Sequence, residues 1–153
     1  MINLERAILI AVQAHQGQKD KAGSLYILHP LRVMLRMKSE TEMMVAVLHD
    51  VVEDSGWTLD ELRKEGFPEE ILKATDCLTH KPEDSYDEFI GKVKNNPIAQ
   101  KVKLADLEDN MDITRISNPT EKDWARVRKY YRAWQKLKNE GTSYLFNRRS
   151  WPT

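Results

Sequence analysis

The residues of this chain best equipped for chemistry crowd into one short stretch. Met43-Met44-Val45-Ala46-Val47-Leu48 runs without a break into His49-Asp50, and Glu53-Asp54 follow. Ser39 with Glu42 forms a capping box ahead of the run, and Gly56 lies just past it, so the pattern predicts one continuous helix. Spacing of four then sets Glu53 above His49 and Asp54 above Asp50. A helix that is apolar nearly all round is buried, which would turn its polar residues inward. A buried histidine with three carboxylates needs compensation by partners or by a metal. Two readings follow: a metal site with acid/base groups beside it, or an amphipathic helix whose acidic end meets solvent.

A second polar segment, Lys101 to Asn110, sets Lys103, Asp106 and Asn110 along one helix face at steps of three and four. Alone, Asp106 is an ordinary solvated acid. Taken together, His29, His49, Asp50 and Asp106 offer two imidazoles and two carboxylates from three separate helices. That N/O set suits Mn²⁺, Fe²⁺ or Zn²⁺ with positions open for water, and it is too oxygen-rich for a structural zinc site. Such an ion lowers the pKa of a bound water and polarises a phosphoryl oxygen, with Glu53 or Asp54 to hold or deprotonate that water.

The elements that must position these residues are helical. Asn3 caps a first helix with Ala7, Ile8, Ile10, Ala11 and Ala14 on its apolar face. Gly17 to Ser24 is a polar loop carrying Lys19 and Lys21, and Leu25-Tyr26-Ile27-Leu28 is too short for a sheet. Pro30, at the first helical position, opens a second helix and leaves His29 at its entrance. Thr58 with Glu61 is another capping box, and Gly66 closes that helix. Pro68 starts the next, Ser85 with Glu88 caps another, and Pro97 begins a longer one through Met111. A last helix runs from Glu121 to about Asn139 and ends at Gly141. The expectation is an all-α fold: one bundle of about eight helices over residues 1–140, no sheet, and a short C-terminal tail, 141–153.

Composition narrows the classes. The chain has 153 residues, one ordinary domain's worth, and 24 Lys and Arg balance 24 Asp and Glu, so no global field favours nucleic acid or an anionic membrane. One cysteine, Cys77, excludes an internal disulfide framework and fits a reducing compartment. The longest apolar runs are too short to span a bilayer, and the first resembles no signal peptide. A cytoplasmic protein is expected, with a small-molecule partner and no nucleic acid or membrane.

The ordered set His29-Pro30, His49-Asp50, Glu53-Asp54 and Lys103-Leu104-Ala105-Asp106 resembles the HD-domain metal-dependent phosphohydrolases. More narrowly it is similar to the alarmone (ppGpp) hydrolase branch, comprising the hydrolase half of Rel/SpoT proteins and the stand-alone small alarmone hydrolases. Ala14-His15-x-Gly17-Gln18, Lys21-x-Gly23, Tyr26-Ile27-x-His29-Pro30 and Asp106-x-x-x-Asn110-Met111 belong to the same pattern. The resemblance implies an all-helical fold with one divalent metal, usually Mn²⁺, held by His29, His49, Asp50 and Asp106. It implies that Glu53-Asp54 serves the attacking water, and that the 3′-pyrophosphate of ppGpp or pppGpp is removed. Lys21 then lies near the nucleotide, Asn110 near its ribose, and Arg126 and Tyr130, one turn apart, at the substrate. No synthetase half is seen, so a bifunctional enzyme is not expected.

Two departures bear on the substrate. Asp20 stands where the family has an arginine that packs on guanine, and Asp112 where it often has another arginine; Leu25 also replaces a proline. Two lost cations weaken a highly charged ligand's binding. If Asp20 faces the base, guanine selectivity survives; if it faces phosphates, a less charged phosphoester such as NADPH becomes the alternative substrate. A binding module that holds an alarmone without turnover is the alternative from another class. His15, His80 and Cys77 read as structural, Trp124, Tyr131 and Trp134 as packing, and Lys136, Lys138, Arg148 and Arg149 as solvated surface.

Overall fold

In a computed structural model of the chain, residues 2–138 are described, and they are all-helical. The order is α1 (Leu4–Ala14), α2 (Leu28–Leu35), α3 (Glu40–Leu48), α4 (Val51–Asp54), α5 (Leu59–Glu65), α6 (Glu69–Leu78), α7 (Tyr86–Lys94), α8 (Pro97–Asn110) and α9 (Glu121–Lys138). A 3₁₀ turn, Ile113–Arg115, lies between α8 and α9. Among the described residues the extended pairing is one isolated bridge, Lys19 with Leu25, which pinches the loop between α1 and α2. The expected stop at Gly141, the 140/141 boundary, and Arg148 and Arg149 lie outside the described residues.

Helix starts follow local side-chain chemistry. Asn3 Oδ1 accepts the Arg6 N–H at 2.9 Å, Ser85 Oγ that of Glu88 at 3.1 Å, and Asn96 Oδ1 that of Ala99 at 2.9 Å. These bonds satisfy donors that a first helical turn leaves without partners. Thr58 and Glu61 make the full reciprocal box. Ser39 caps Glu42, while the Glu42 carboxylate returns to the Lys38 N–H, so that box is only half formed. Gly66 ends α5 at φ +106, the left-handed region that favours glycine. Pro30 sits in the first turn of α2 rather than at its first position, still where its missing N–H costs nothing.

The helix expected to run through residues 39–56 is in fact two. α3 stops at Leu48 and α4 starts at Val51. The cause is competition for one carbonyl. In a continuous helix Ala46 O would accept from Asp50; here it takes the His49 N–H at 3.4 Å and faces His49 Nδ1 at 2.6 Å. The ladder resumes with Asp54 N–H to Asp50 O at 2.9 Å. This break raises the helix count to nine among the described residues. It also corrects the inward orientation of all four polar residues: His49 is buried and Asp50 nearly so, while Glu53 and Asp54 are exposed at the rim.

α3 is the central element, packed against α1, α2, α6 and α8. Met44 to Leu48 are all buried, and Ile10, Val33, Ile71, Ile90 and Leu107 close around them. Trp134 packs against this core as expected, but Trp124 and Tyr131 do not; they are 42% and 50% exposed. The stripe of α9 that reaches the core is narrow and falls on Ala133 and Leu137. Replacing Leu107, fully buried beside Asp106, by alanine is expected to cost about 2–5 kcal/mol in urea unfolding. A loss below about 1 kcal/mol would contradict this placement of the core.

Candidate metal centre and cleft

Three segments deliver four ligating groups to one point: α2 brings His29, the α3–α4 break brings His49 and Asp50, and α8 brings Asp106. One nitrogen or oxygen from each lies within 4.8 Å of the others, so the group could hold a metal ion. The two histidines are oriented alike. His49 turns Nδ1 to Ala46 O, leaving Nε2 at 3.0 Å from Asp50 Oδ2 and 3.4 Å from Asp106 Oδ1. That buried Nε2 has no hydrogen bond. His29 turns Nδ1 to Asp109 Oδ2 at 2.6 Å and Nε2 to Asp106 Oδ1 at 2.9 Å. An outward nitrogen fixed by a protein acceptor and an inward nitrogen left as donor is how ligating histidines are held.

The carboxylates are braced in the same way. Asp109, 5% exposed behind His29, receives Arg32 Nε at 2.8 Å and Arg32 Nη2 at 3.0 Å. Asp106 Oδ2 accepts Lys103 Nζ at 2.7 Å, and its Oδ1 accepts Asn110 Nδ2 at 2.9 Å. Asp50 Oδ2 accepts the Tyr26 hydroxyl. Burial pushes Asp50 up, but His49 outweighs it and brings the carboxyl down to about 2. Burial also opposes ionisation of Asp106, yet Lys103 and the two histidines hold it well below the usual range. Burial lowers both imidazoles, and the facing carboxylates overcome it, raising His29 and raising His49 strongly. At the rim the balance reverses. Burial first, then Asp50, raises both Glu53 and Asp54.

A cleft of about 440 Å³ opens over the cluster. Asp50 and Asp106 form its floor, and Lys21, Asn110, Arg126 and Tyr130 line it, as does Glu53. Asp54 is not among the lining residues; its Oδ2 accepts Gln18 Nε2 at 3.2 Å. Asp20 lines the cleft between Lys19 and Lys21. Its Oδ1 accepts the N–H groups of Ala22 and Ser24, both at 2.9 Å, so the carboxylate organises its own loop. Asp112 likewise caps the 3₁₀ turn through the Thr114 N–H, and Arg115 lies 3.4 Å from it while lining the cleft. Both acids line the cleft, each with its Oδ1 bonded within its own loop. Neither His15 nor His80 lines the cleft: His15 is buried against Tyr26, and the exposed His80 stacks on Phe89 with centroids 4.9 Å apart.

Sequence reasoning missed Asp109, Arg32, Arg115 and the roles of Tyr26 and Lys103. One signal was present: Arg32 follows His29 by three and Asp109 follows Asp106 by three, which stacks each supporting residue one turn beyond a candidate ligand.

No protein-family model matches the chain. Among curated proteins it is 35% identical over 121 residues to a guanosine-3′,5′-bis(diphosphate) 3′-pyrophosphohydrolase of Aquifex aeolicus, covering 71% of this chain and 17% of that protein. It is 32% identical over 126 residues to a GTP pyrophosphokinase of Streptomyces coelicolor, covering 73% and 15%. The chain thus spans about one-sixth of the length of these relatives, whose names describe much longer proteins. A solved structure described as a metazoan ortholog of SpoT that hydrolyzes ppGpp and plays a role in starvation responses matches with a TM-score of 0.69. Its identity is 24%, and the match covers 89% of this chain and 85% of that one. Fold and cluster together define an HD-type helical domain. More narrowly, the chain belongs with the Rel/SpoT-type HD hydrolase domains.

The charge pattern of the cluster sets how the metal-free protein responds to pH. Asp50 is depressed, so its contribution to stability is present above about pH 3.9 and is lost as pH falls toward its folded value of about 2. His29 and His49 are raised, so theirs is full below about pH 6.5 and is lost as pH rises through the folded values. In EDTA the urea midpoint is therefore expected to peak between about pH 4 and 6.5 and to fall toward pH 9. A midpoint that climbs from about pH 6 to 8 would contradict the pairing.

Proposed function

We propose that this domain is a metal-dependent phosphohydrolase that removes the 3′-pyrophosphate of ppGpp or pppGpp. The observation that carries the reading is His49 Nε2: a buried nitrogen without a well-aligned hydrogen bond, facing Asp50 and Asp106 beneath a cleft whose walls carry both lysines and arginines and further carboxylates. His29, His49, Asp50 and Asp106 would hold one divalent ion, Mn²⁺ by resemblance, with Fe²⁺ or Zn²⁺ as alternatives. When bound, that ion supplies Lewis acidity toward the phosphoryl group and an acidified water. Glu53 faces the cleft, and its carboxyl is raised by burial and by Asp50, which makes it a better proton acceptor than an ordinary glutamate. The His80 N–H holds one of its oxygens at 2.7 Å, so that acceptor is oriented. Lys21 and Arg126 would meet the phosphates from two walls, with Asn110 and Tyr130 between them.

The partner this reading requires is a small nucleotide in the cytoplasm, without nucleic acid or membrane. Among the described residues no helix is long and apolar enough to cross a membrane. Asp20 and Asp112 both line the cleft, so a less charged phosphoester such as NADPH stays the alternative substrate that the turnover assay must compare with ppGpp.

Metal-stripped protein given ppGpp should release pyrophosphate only after a divalent ion is restored. Absence of release with Mn²⁺, Fe²⁺ or Zn²⁺, or turnover confined to NADPH, overturns the assignment. His49→Ala and Asp106→Ala are expected to lose metal and turnover together. Glu53→Gln should keep the metal and lose about 10²–10⁴ in kcat; equal metal loss in all three variants would remove Glu53 from its role at the water.

A further inference from the structure

The loop between α1 and α2 is tied to the acidic rim by a chain of polar contacts that the proposed reaction leaves unexplained. It begins at His15, only 2% exposed at the end of α1, whose ring packs 5.0 Å from that of Tyr26. His15 Nδ1 lies 2.9 Å from Gln18 Oε1, and Gln18 Nε2 donates to Asp54 Oδ2 at 3.2 Å. The backbone holds Gln18 from both sides. Its N–H donates to His15 O at 3.0 Å, and its carbonyl accepts the Tyr26 N–H at 2.9 Å. Gly17, at φ +80, makes the tight turn that brings His15 and Gln18 face to face, a backbone state that a side chain would strain.

The chemistry of the chain fixes its direction. An ionised carboxylate only accepts, so Gln18 must present its amide nitrogen to Asp54. Its amide oxygen then faces His15, which must carry a proton on Nδ1. Each group thus determines the orientation of the next, and one oxygen of Asp54 is committed to Gln18 while Oδ1 stays available. The same loop restrains the metal-centre acid as well, since Tyr26 donates its hydroxyl to Asp50. Without such a restraint, Asp54 on the exposed four-residue α4 would turn freely in solvent.

We propose that His15 and Gln18 are positioning residues that fix the carboxylate of Asp54 beside the cleft, just behind the lining residue Gln18, so that the second acid next to Glu53 acts in one orientation. This rests on the hydrolase reading above, in which acids at the rim serve the attacking water. Neither residue touches the four groups assigned to the metal, and neither needs to touch substrate for the effect.

The test compares Gln18→Met and Gln18→Glu with Asp54→Asn and the double variant Gln18→Met/Asp54→Asn, in full-length protein loaded with Mn²⁺. Gln18→Met keeps the volume and removes the amide. It should lower kcat for ppGpp by about ten- to a hundredfold while KM and the Mn²⁺ dissociation constant move less than about twofold. Gln18→Glu, which sets a second carboxylate against Asp54, should do at least as much harm. Because Gln18 acts through Asp54, the double variant should be no slower than Asp54→Asn alone. His15→Leu should reproduce the loss, and His15→Asn, which keeps a side-chain N–H, should recover part of it. A kcat for Gln18→Met within about twofold of the parent, or losses that multiply in the double variant, overturns the proposal.

A second measurement does not depend on turnover. Nitrogen-15 spectra of the His15 ring should show the proton on Nδ1 in the parent protein, and a changed or mixed state in Asp54→Leu, where Gln18 is free to flip. Identical spectra in the two proteins overturn the chain. A parent protein that leaves ppGpp intact but shows this spectral change sinks the hydrolase reading while the coupling of His15 to Asp54 stands.

Discussion

Two imidazoles and two carboxylates withdrawn from water at one point impose a cost on this domain that its surrounding structure must offset. Charges buried without partners destabilise by several kcal/mol each, so such a cluster persists only if every group is paired or coordinated. Asp106 meets that demand through Lys103 and Asn110, Asp50 through Tyr26, and His29 through Asp109 backed by Arg32. His49 Nε2 makes no well-aligned hydrogen bond; it points at the centre, 3.0 Å from Asp50 Oδ2 and 3.4 Å from Asp106 Oδ1. Every supporting group comes from α2, α8 or the loop before α2, which is why those elements pack around α3.

The break between α3 and α4 is the local price of this arrangement. By pulling Ala46 O toward its own ring nitrogen, His49 takes an acceptor from the backbone ladder and ends the helix. The reward is a change of direction. The chain is buried up to Leu48, places Asp50 at the floor of the cleft, and brings Glu53 to its lining and Asp54 beside it, bonded to the lining residue Gln18. One histidine thereby separates groups suited to holding an ion from groups suited to moving a proton. The environments follow: carboxyls on the floor are pulled down and those at the rim are pushed up.

How much of this was legible in the sequence varied with how local the determining interaction is. Helix starts at Asn3, Thr58 and Ser85 depend on contacts within three residues, and the capping patterns showed them; the start capped by Asn96 was read from Pro97 instead. The four clustered groups were legible because their order resembles a known family, although spacing alone left Asp106 an ordinary acid. The break at His49 was hidden, since an unbroken apolar run gives no hint that a side chain will compete for Ala46 O. Asp20 was legible only in part: it lines the cleft, but the bonds its Oδ1 accepts from the N–H groups of Ala22 and Ser24 are ones no side-chain pattern displays. Trp124 and Tyr131 were assigned to packing by residue type, yet α9 buries only a narrow stripe and they fall outside it. Asp109 with Arg32 joins residues far apart in sequence, and that pairing becomes visible only when α2 and α8 meet.

The central claim is that His29, His49, Asp50 and Asp106 form one coordination site, and calorimetric titration of a divalent ion into metal-stripped protein tests it most directly. Because the facing carboxylates favour the protonated imidazole of His49, an ion that takes its Nε2 competes with a proton. Titrations of Mn²⁺ near pH 7 in buffers of different ionisation enthalpy should therefore show about one ion per chain, with net proton release that disappears in His49→Ala along with the binding. Binding without proton release, binding that survives His49→Ala, or no binding at all would contradict the account.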